Sequence, residues 1–264
     1  MPPNAKQLRA AWALSVILTA LLAACSHNPP AYNPPVRTYK KEPEKAAVAN
    51  MQLAVEYMKI GQLANSRDCI EKALKEDPSN PNVQETAGLV YERLNEMPKA
   101  EHAFQAAIRL GRQDPNISNS YAGFLCRTGK TPAGEKLFLE VAHNPLYQTP
   151  EVALVNAGVC ARSSGDVLDA DKYFNNALAL RPNMPEALLQ SGNVAFDRGD
   201  AAQALAIVQH YLAVNKPTPE ILWLGFRAER KLGDPVDAAV FARRVQTEFP
   251  DSQQAQNMRN GVDR

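Results

Sequence analysis

The sequence predicts an all-α solenoid of six helix–turn–helix repeats followed by a C-terminal capping helix. Three observations carry that expectation. Ala170, Phe174 and Ala177 fall at helical spacings on one face, and Pro182 stops the helix behind them. The same figure returns as Ala100, Phe104 and Ala107, and as Ser66, Ile70 and Ala73 followed by Pro78. Counted from those anchors, units begin near Ala47, Pro81, Pro115, Glu151, Pro185 and Pro219, at intervals of 34, 34, 36, 34 and 34 residues. Finally, the apolar residues lean on Ala and Leu and only 7% are aromatic, a composition suited to helix-on-helix packing.

A helix–turn–helix period of 34 residues is the tetratricopeptide signature, and such an array winds into a superhelix. A solenoid of this kind has a series of interfaces instead of one central core, so the 264 residues need no division into globular domains. The 29 basic and 28 acidic residues leave a net charge of +1, which gives no support to nucleic-acid binding or to a generally acidic substrate.

Residues 1–24 read as an export signal. Lys6 and Arg9 precede the apolar run Ala10–Ala20, which is short for a bilayer span. The run ends in Leu22-Ala23-Ala24-Cys25, which resembles a bacterial lipobox. That resemblance implies cleavage before Cys25, diacylglyceryl attachment to its sulfur and acylation (such as palmitate) of the new N-terminus. Two or three acyl chains anchor stably where one does not. Ser26 at the second mature position favours the outer membrane, and with it the periplasmic face of a Gram-negative cell. Residues 25–46 then form a tether. Pro29, Pro30, Pro34, Pro35 and Pro43, with few aliphatic residues, cannot bury a core and favour an extended chain reaching about 60 Å.

The six units span residues 47–80, 81–114, 115–150, 151–184, 185–218 and 219–250. In unit one Leu53, Ala54 and Tyr57 lie on the first helix, Gly61 at the turn, and Ser66, Ile70 and Ala73 on the second. Unit two carries Gly88, with Gly158 and Gly192 at the same place in units four and five, where a tiny residue lets paired helices approach closely. Unit three departs from the pattern, with Tyr121 and Ala122 where small residues are usual and Gly134 where Ala is usual. It ends two residues long in His143-Asn144-Pro145-Leu146-Tyr147-Gln148, a connection that predicts a local change in superhelical geometry. Unit six diverges, as a terminal repeat should, and residues 251–264 read as a polar capping helix.

The sequence offers no catalytic constellation. His27, His102, His143 and His210 stand apart from any Cys, Glu or second His at metal-ligand spacing. There is no Gly-rich phosphate loop and no nucleophile elbow. We therefore expect no metal, no cofactor beyond the lipid, no small-molecule substrate and no enzymatic activity, although residues dispersed over several units remain a third functional class. Cys69 reads as a buried apolar residue. Cys126 and Cys160 lie near the ends of stacked first helices, either as two buried thiols or as a bridge. A bridge would close a loop of about 35 residues and contribute on the order of 3 kcal/mol.

A lipobox, a tether and six such units, with Phe124-Leu125-Cys126, Asn144-Pro145-Leu146-Tyr147 and Asn156-Ala157-Gly158-Val159-Cys160 in the middle, resemble the PilF/PilW family of type IV pilus biogenesis lipoproteins. The resemblance covers essentially the whole mature chain. It implies a disulfide between Cys126 and Cys160, and the role of a pilotin in pilus biogenesis and twitching motility. Such a protein binds the pilus secretin and promotes its outer-membrane localisation and multimerisation. A lipid-anchored adaptor for another periplasmic machine, such as peptidoglycan enzymes, is the alternative; the middle signature favours the pilotin.

The first helices of such an array face a concave groove. Counting from the unit starts places Val48, Met51, Val55 and Met58 there in unit one, Leu89, Glu92 and Arg93 in unit two, and Asn116, Asn119 and Arg127 in unit three. An apolar stripe with two Met residues suits adaptable recognition of a partner segment, although Met51 and Val55 serve equally as end-cap core. Units five and six offer a second face, with Glu186, Asn193, Asp197, Trp223, Arg227, Arg230 and Lys231.

Overall fold

The protein is described by a computed structural model over residues 42–112 and 114–261. The stretches expected to be signal peptide and tether lie outside those residues up to residue 41, Cys25 included. Thirteen helices and no strands occur among the described residues. They pair as α1 (Pro43–Lys59) with α2 (Leu63–Glu76), α3 (Pro81–Arg93) with α4 (Met97–Leu110), and α5 (Pro115–Arg127) with α6 (Thr131–Ala142). Then follow α7 (Pro150–Ser163) with α8 (Val167–Leu180), α9 (Pro185–Asp197) with α10 (Ala201–Val214), and α11 (Pro219–Leu232) with α12 (Pro235–Glu248); α13 (Gln253–Asn260) closes the stack. None of these helices is long and apolar enough to cross a membrane.

Every first helix of a unit begins with Pro, whose fixed φ suits the first helical turn and whose missing N–H would have had no partner there. This explains why α1 starts at Pro43, inside the stretch that the sequence assigned to the tether: its last Pro does what Pro81, Pro115 and Pro219 do. Side-chain caps reinforce several of these starts. Asn80 Oδ1 accepts from the backbone N–H groups of Asn82 and Val83, and the Thr218 hydroxyl accepts from Ile221. Between the two helices of a unit the chain passes through the left-handed region, as at Gly165 with φ 89°. In unit two Asn95 takes that place at φ 60°, a conformation Asn tolerates better than most residues.

The apolar interior is segmented along the stack. Units one and two share a cluster around Ile70, Val83, Val90 and Phe104; units three and four share one around Phe138, Leu154 and Phe174; units five and six share one around Val208, Ile221, Leu222 and Val245. Phe104, Phe124 and Tyr121 bridge the joint between units two and three, with the two Phe ring centroids 5.1 Å apart. Cys69 is a buried free thiol in the first cluster, the apolar residue that the sequence suggests. At the far end α13 inserts Ala255 and Met258 against the last cluster, and the Ser252 hydroxyl caps it by accepting from the Ala255 N–H.

The repeat glycines differ in what they face. A Cβ on Gly158 would stand 2.5 Å from the ring of fully buried Phe174, and one on Gly88 would stand 2.8 Å from Phe104. Gly192 faces Leu224 of the next unit instead, at 2.8 Å. A Gly158→Ala variant gains helix propensity of about 1 kcal/mol but overpacks a ring that has nowhere to go, at a cost of typically 1–3 kcal/mol. We expect net destabilisation of up to about 2 kcal/mol, measured by urea unfolding. A variant clearly more stable than the parent would show that the ring is free to shift.

The long connection after unit three is held by its own polar groups. Asn144 Oδ1 accepts from the Leu146 N–H, its carbonyl accepts from Tyr147, and Leu146 itself is 74% exposed. The two extra residues are absorbed there, because α5 and α7 still lie side by side.

Candidate functional site

The first helices α1, α3, α5, α7, α9 and α11 contact one another in turn and form the inner face of the array. Polar rungs one repeat apart tie them together. The Arg127 guanidinium donates from Nε and Nη2 to the two carboxylate oxygens of Glu92, at 2.6 and 2.9 Å. Arg162 donates to Asp197 at 2.9 and 2.7 Å, Asn156 Nδ2 to Asn119 Oδ1 at 3.2 Å, and the Ser120 hydroxyl to Glu85. Fork-shaped Arg–carboxylate pairs fix geometry well, yet exposed pairs contribute only about 0.2–1 kcal/mol each. The rungs therefore set how one unit sits on the next more than they set overall stability. In units five and six the tie is different: the Arg227 guanidinium lies 4.1 Å from the centre of the Phe196 ring, and the Lys231 ammonium 4.9 Å.

Cys126 and Cys160 are joined in a disulfide, with Cα atoms 5.5 Å apart, cross-linking α5 to α7. The unusual Gly134 is explained by this bond. A Cβ there would meet the Cys126 sulfur and stand 2.9 Å from the Ala122 carbonyl, so the Ala usual at this position has no room.

Beside the disulfide the inner face sinks into a depression of about 770 Å³. Leu89, Asn119, Arg127, Asn156, Val159, Ser163 and Ser164 are among the residues that line it. Val159 is an apolar side chain left 41% exposed. The lining combines an apolar floor, amides that both donate and accept, and a cation already engaged by Glu92. Such a mixture suits a peptide, whose main chain needs both kinds of hydrogen-bond partner.

Of the groove positions expected from the sequence, the depression gathers Leu89, Asn119 and Arg127, with Glu92 bonded to its edge. The others lie elsewhere. Met51 and Met58 are half-buried and pack against the first cluster, so the end-cap reading describes them better than a free stripe does. Val55 is half-buried on the same helix, and Val48 borders a shallow recess with Glu44, Asp77 and Asn80. Asn116 Nδ2 donates to the helix-capping Asp114, a local role, and Arg93 is exposed outside the depression. Asn156 and Val159 were not assigned to the groove from sequence. Their signal was present: the turn bonds that make Leu125 and Ala161 equivalent also make Asn156 and Val159 the equivalents of Ser120 and Gly123, which line the depression from α5. On the second face Asp197, Arg227 and Lys231 are engaged in the contacts above, and the Trp223 and Phe226 rings meet in a tilted contact with centroids 5.5 Å apart.

Three carboxylates are held above their ordinary range. Burial is the main cause for Glu85, against the lowering effect of its bond to Ser120; burial and then Asp169 and Asp166 act on Glu135; burial and then Asp237 and Asp234 act on Glu229. They sit on separate helices of units two, three and six, each raised by its own surroundings, and do not form one cluster.

Comparison with known proteins agrees with this architecture. Tetratricopeptide-repeat family patterns match residues 51–115 and 161–224. The type IV pilus assembly protein PilF of Pseudomonas aeruginosa is 23% identical, over 90% of this chain and 92% of its own. The solved structure of PilW, described as a widely conserved type IV pilus biogenesis factor, superposes with a TM-score of 0.69 at 28% identity, covering 80% of this chain and 97% of that one. The solved structure of Pseudomonas aeruginosa PilF superposes with a TM-score of 0.64 at 21% identity, covering 84% and 100%. The chain is a PilF/PilW-like tetratricopeptide-repeat protein.

Proposed function

We propose that this protein is a non-catalytic assembly factor for a type IV pilus, a pilotin held by lipid on Cys25 at the periplasmic face of the outer membrane. Its partner is the pilus secretin, and a segment of the secretin lies in the inner depression between units two and four. The observation that carries this reading is the depression itself: a concave, mixed polar and apolar surface whose walls are cross-linked by the disulfide. A preformed site loses little conformational freedom when it binds an extended segment. The pilus-assembly role of the similar PilF and PilW proteins supplies the partner class. The lipid supplies the membrane address and the depression supplies the grip.

The test is heat-sensitive secretin multimer on unheated gels, in a deletion strain complemented with the parent, with Val159→Glu or with Leu168→Glu. Val159 lines the depression, whereas Leu168 is a 73% exposed residue on α8 that does not. We expect Val159→Glu to lower multimer at least several-fold while membrane fractionation shows normal delivery, and Leu168→Glu to behave as the parent. Parent-level multimer with Val159→Glu would move the contact out of the depression. Intact multimer in the deletion strain itself would replace the pilotin with a lipid-anchored adaptor for another machine.

A further inference from the structure

In all six units the backbone N–H at the start of the second helix donates to the carbonyl of a residue near the end of the first. The acceptors are Tyr57, Tyr91, Leu125, Ala161, Ala195 and Glu229. These residues are therefore structural equivalents, and five of them are uncharged. In unit six a carboxylate takes the place of an aromatic or aliphatic side chain. Glu229 is only 7% exposed, and its carboxylate, with no hydrogen bond or ion pair to the described residues, keeps no more than a narrow contact with solvent. Burying a lone carboxylate is expensive unless something compensates its charge.

The side chain is aimed at two more carboxylates. One oxygen each from Glu229, Asp234 and Asp237 lies within 4.8 Å of the others. Asp234 and Asp237 are exposed, and each has a reason of its own to be there. Asp234 caps α12 by accepting from the Val236 and Asp237 N–H groups, and Asp237 lies in the first turn, where the helix dipole favours an anion. Neither reason accounts for Glu229. The nearby bases are turned to aromatic rings: Lys231 to Phe196 and Arg230 to Phe226.

We propose that Glu229, Asp234 and Asp237 form a binding site for a divalent cation of the calcium class, which ties the end of α11 to the start of α12. All three donors are hard carboxylate oxygens, with no Cys or His among them, which disfavours zinc and copper. The three oxygens lie within 4.8 Å of one another, close enough to share one ion. Calcium accepts irregular oxygen coordination, whereas magnesium demands near-ideal octahedral geometry and gives up its water reluctantly, so an irregular trio from a helix end, a cap and a first turn favours calcium. Water completes the coordination on the exposed side. A cation here neutralises the buried charge and clamps the terminal unit, which has a neighbouring repeat on one side only.

The test is calorimetric titration of the purified, chelator-stripped full-length protein in detergent with CaCl₂, and separately with MgCl₂. Thermal melts with and without each salt provide a second readout. We expect one Ca²⁺ site with Kd of about 0.1–1 mM, the range of extracellular calcium modules, and a melting temperature raised by a few degrees by Ca²⁺. Binding should weaken at least tenfold in Glu229→Gln and in Asp237→Asn. The second variant alters an exposed side chain outside the core, so its loss of binding would not reflect misfolding. Absence of Ca²⁺ binding below about 10 mM, ten times the upper end of that range, would overturn the proposal. Unchanged binding in both variants would overturn it too, and Mg²⁺ binding as tight as Ca²⁺ would overturn the calcium assignment.

Discussion

A Phe174→Ala variant is expected to lose about 3–5 kcal/mol of stability, the usual cost of removing a large aromatic side chain from a core that does not collapse into the gap. Phe174 is fully buried in the cluster shared by units three and four, and its ring lies against Gly158 of the partner helix. The gap opens beneath a glycine, which has no side chain to fill it. The position in the array matters as much as the size of the ring. Repeat stability is approximately a sum of unit and nearest-neighbour terms, so a weak unit in the middle separates the stack into two shorter arrays. Urea unfolding followed by helical circular dichroism should therefore show a lower midpoint and a broader transition. A loss below about 1 kcal/mol, well short of that range, would mean that the surrounding helices close the gap.

Replacing both Cys126 and Cys160 with Ser is expected to cost about 3–4 kcal/mol, the loop-entropy value for a separation of 34 residues. Cys69 is the internal control. It is buried and free, so reduction of the parent protein should reproduce the double variant, whereas Cys69→Ala should leave the effect of reduction unchanged. Thermal melts of the parent with and without reductant, beside the double variant, provide the measurement. Equal melting temperatures in all three would show that the packing of α5 on α7 holds the joint without the bond. Because the bond flanks the depression, the double variant should also lower secretin multimer if the pilotin reading holds.

How much of this was legible beforehand depended on the range of the interactions. The unit starts are readable where they repeat locally: a Pro at the head of units two, three, five and six, and an Ala–Phe–Ala face on the second helices of units two and four. The start of α1 was read late, at Ala47 instead of Pro43, because a Pro-rich tether and a Pro-initiated helix share the same residue at their border. On the inner face, Leu89, Asn119 and Arg127 were found by counting, since position in the repeat fixes which way a helical residue points. Met51 and Met58 were not distinguished from free groove residues by that counting. Their half-buried state comes from the neighbouring helix, which helical phase does not report.

The sequence by itself determined the period, the helices and the turns, because these follow from backbone preferences and apolar spacing within a few residues. Tertiary structure decided the rest. Gly134 reads as an anomaly in the repeat until the Cys126 sulfur is seen in the space of its missing methyl. The rungs Glu92–Arg127 and Arg162–Asp197 join side chains a whole repeat apart, and their partners depend on how the superhelix winds. Glu229 is one charged residue among many in the chain, and only its burial against Asp234 and Asp237 marks it out. The physical reason is common to all three: close packing and charge compensation are properties of neighbours in space, and a solenoid draws those neighbours from a unit away.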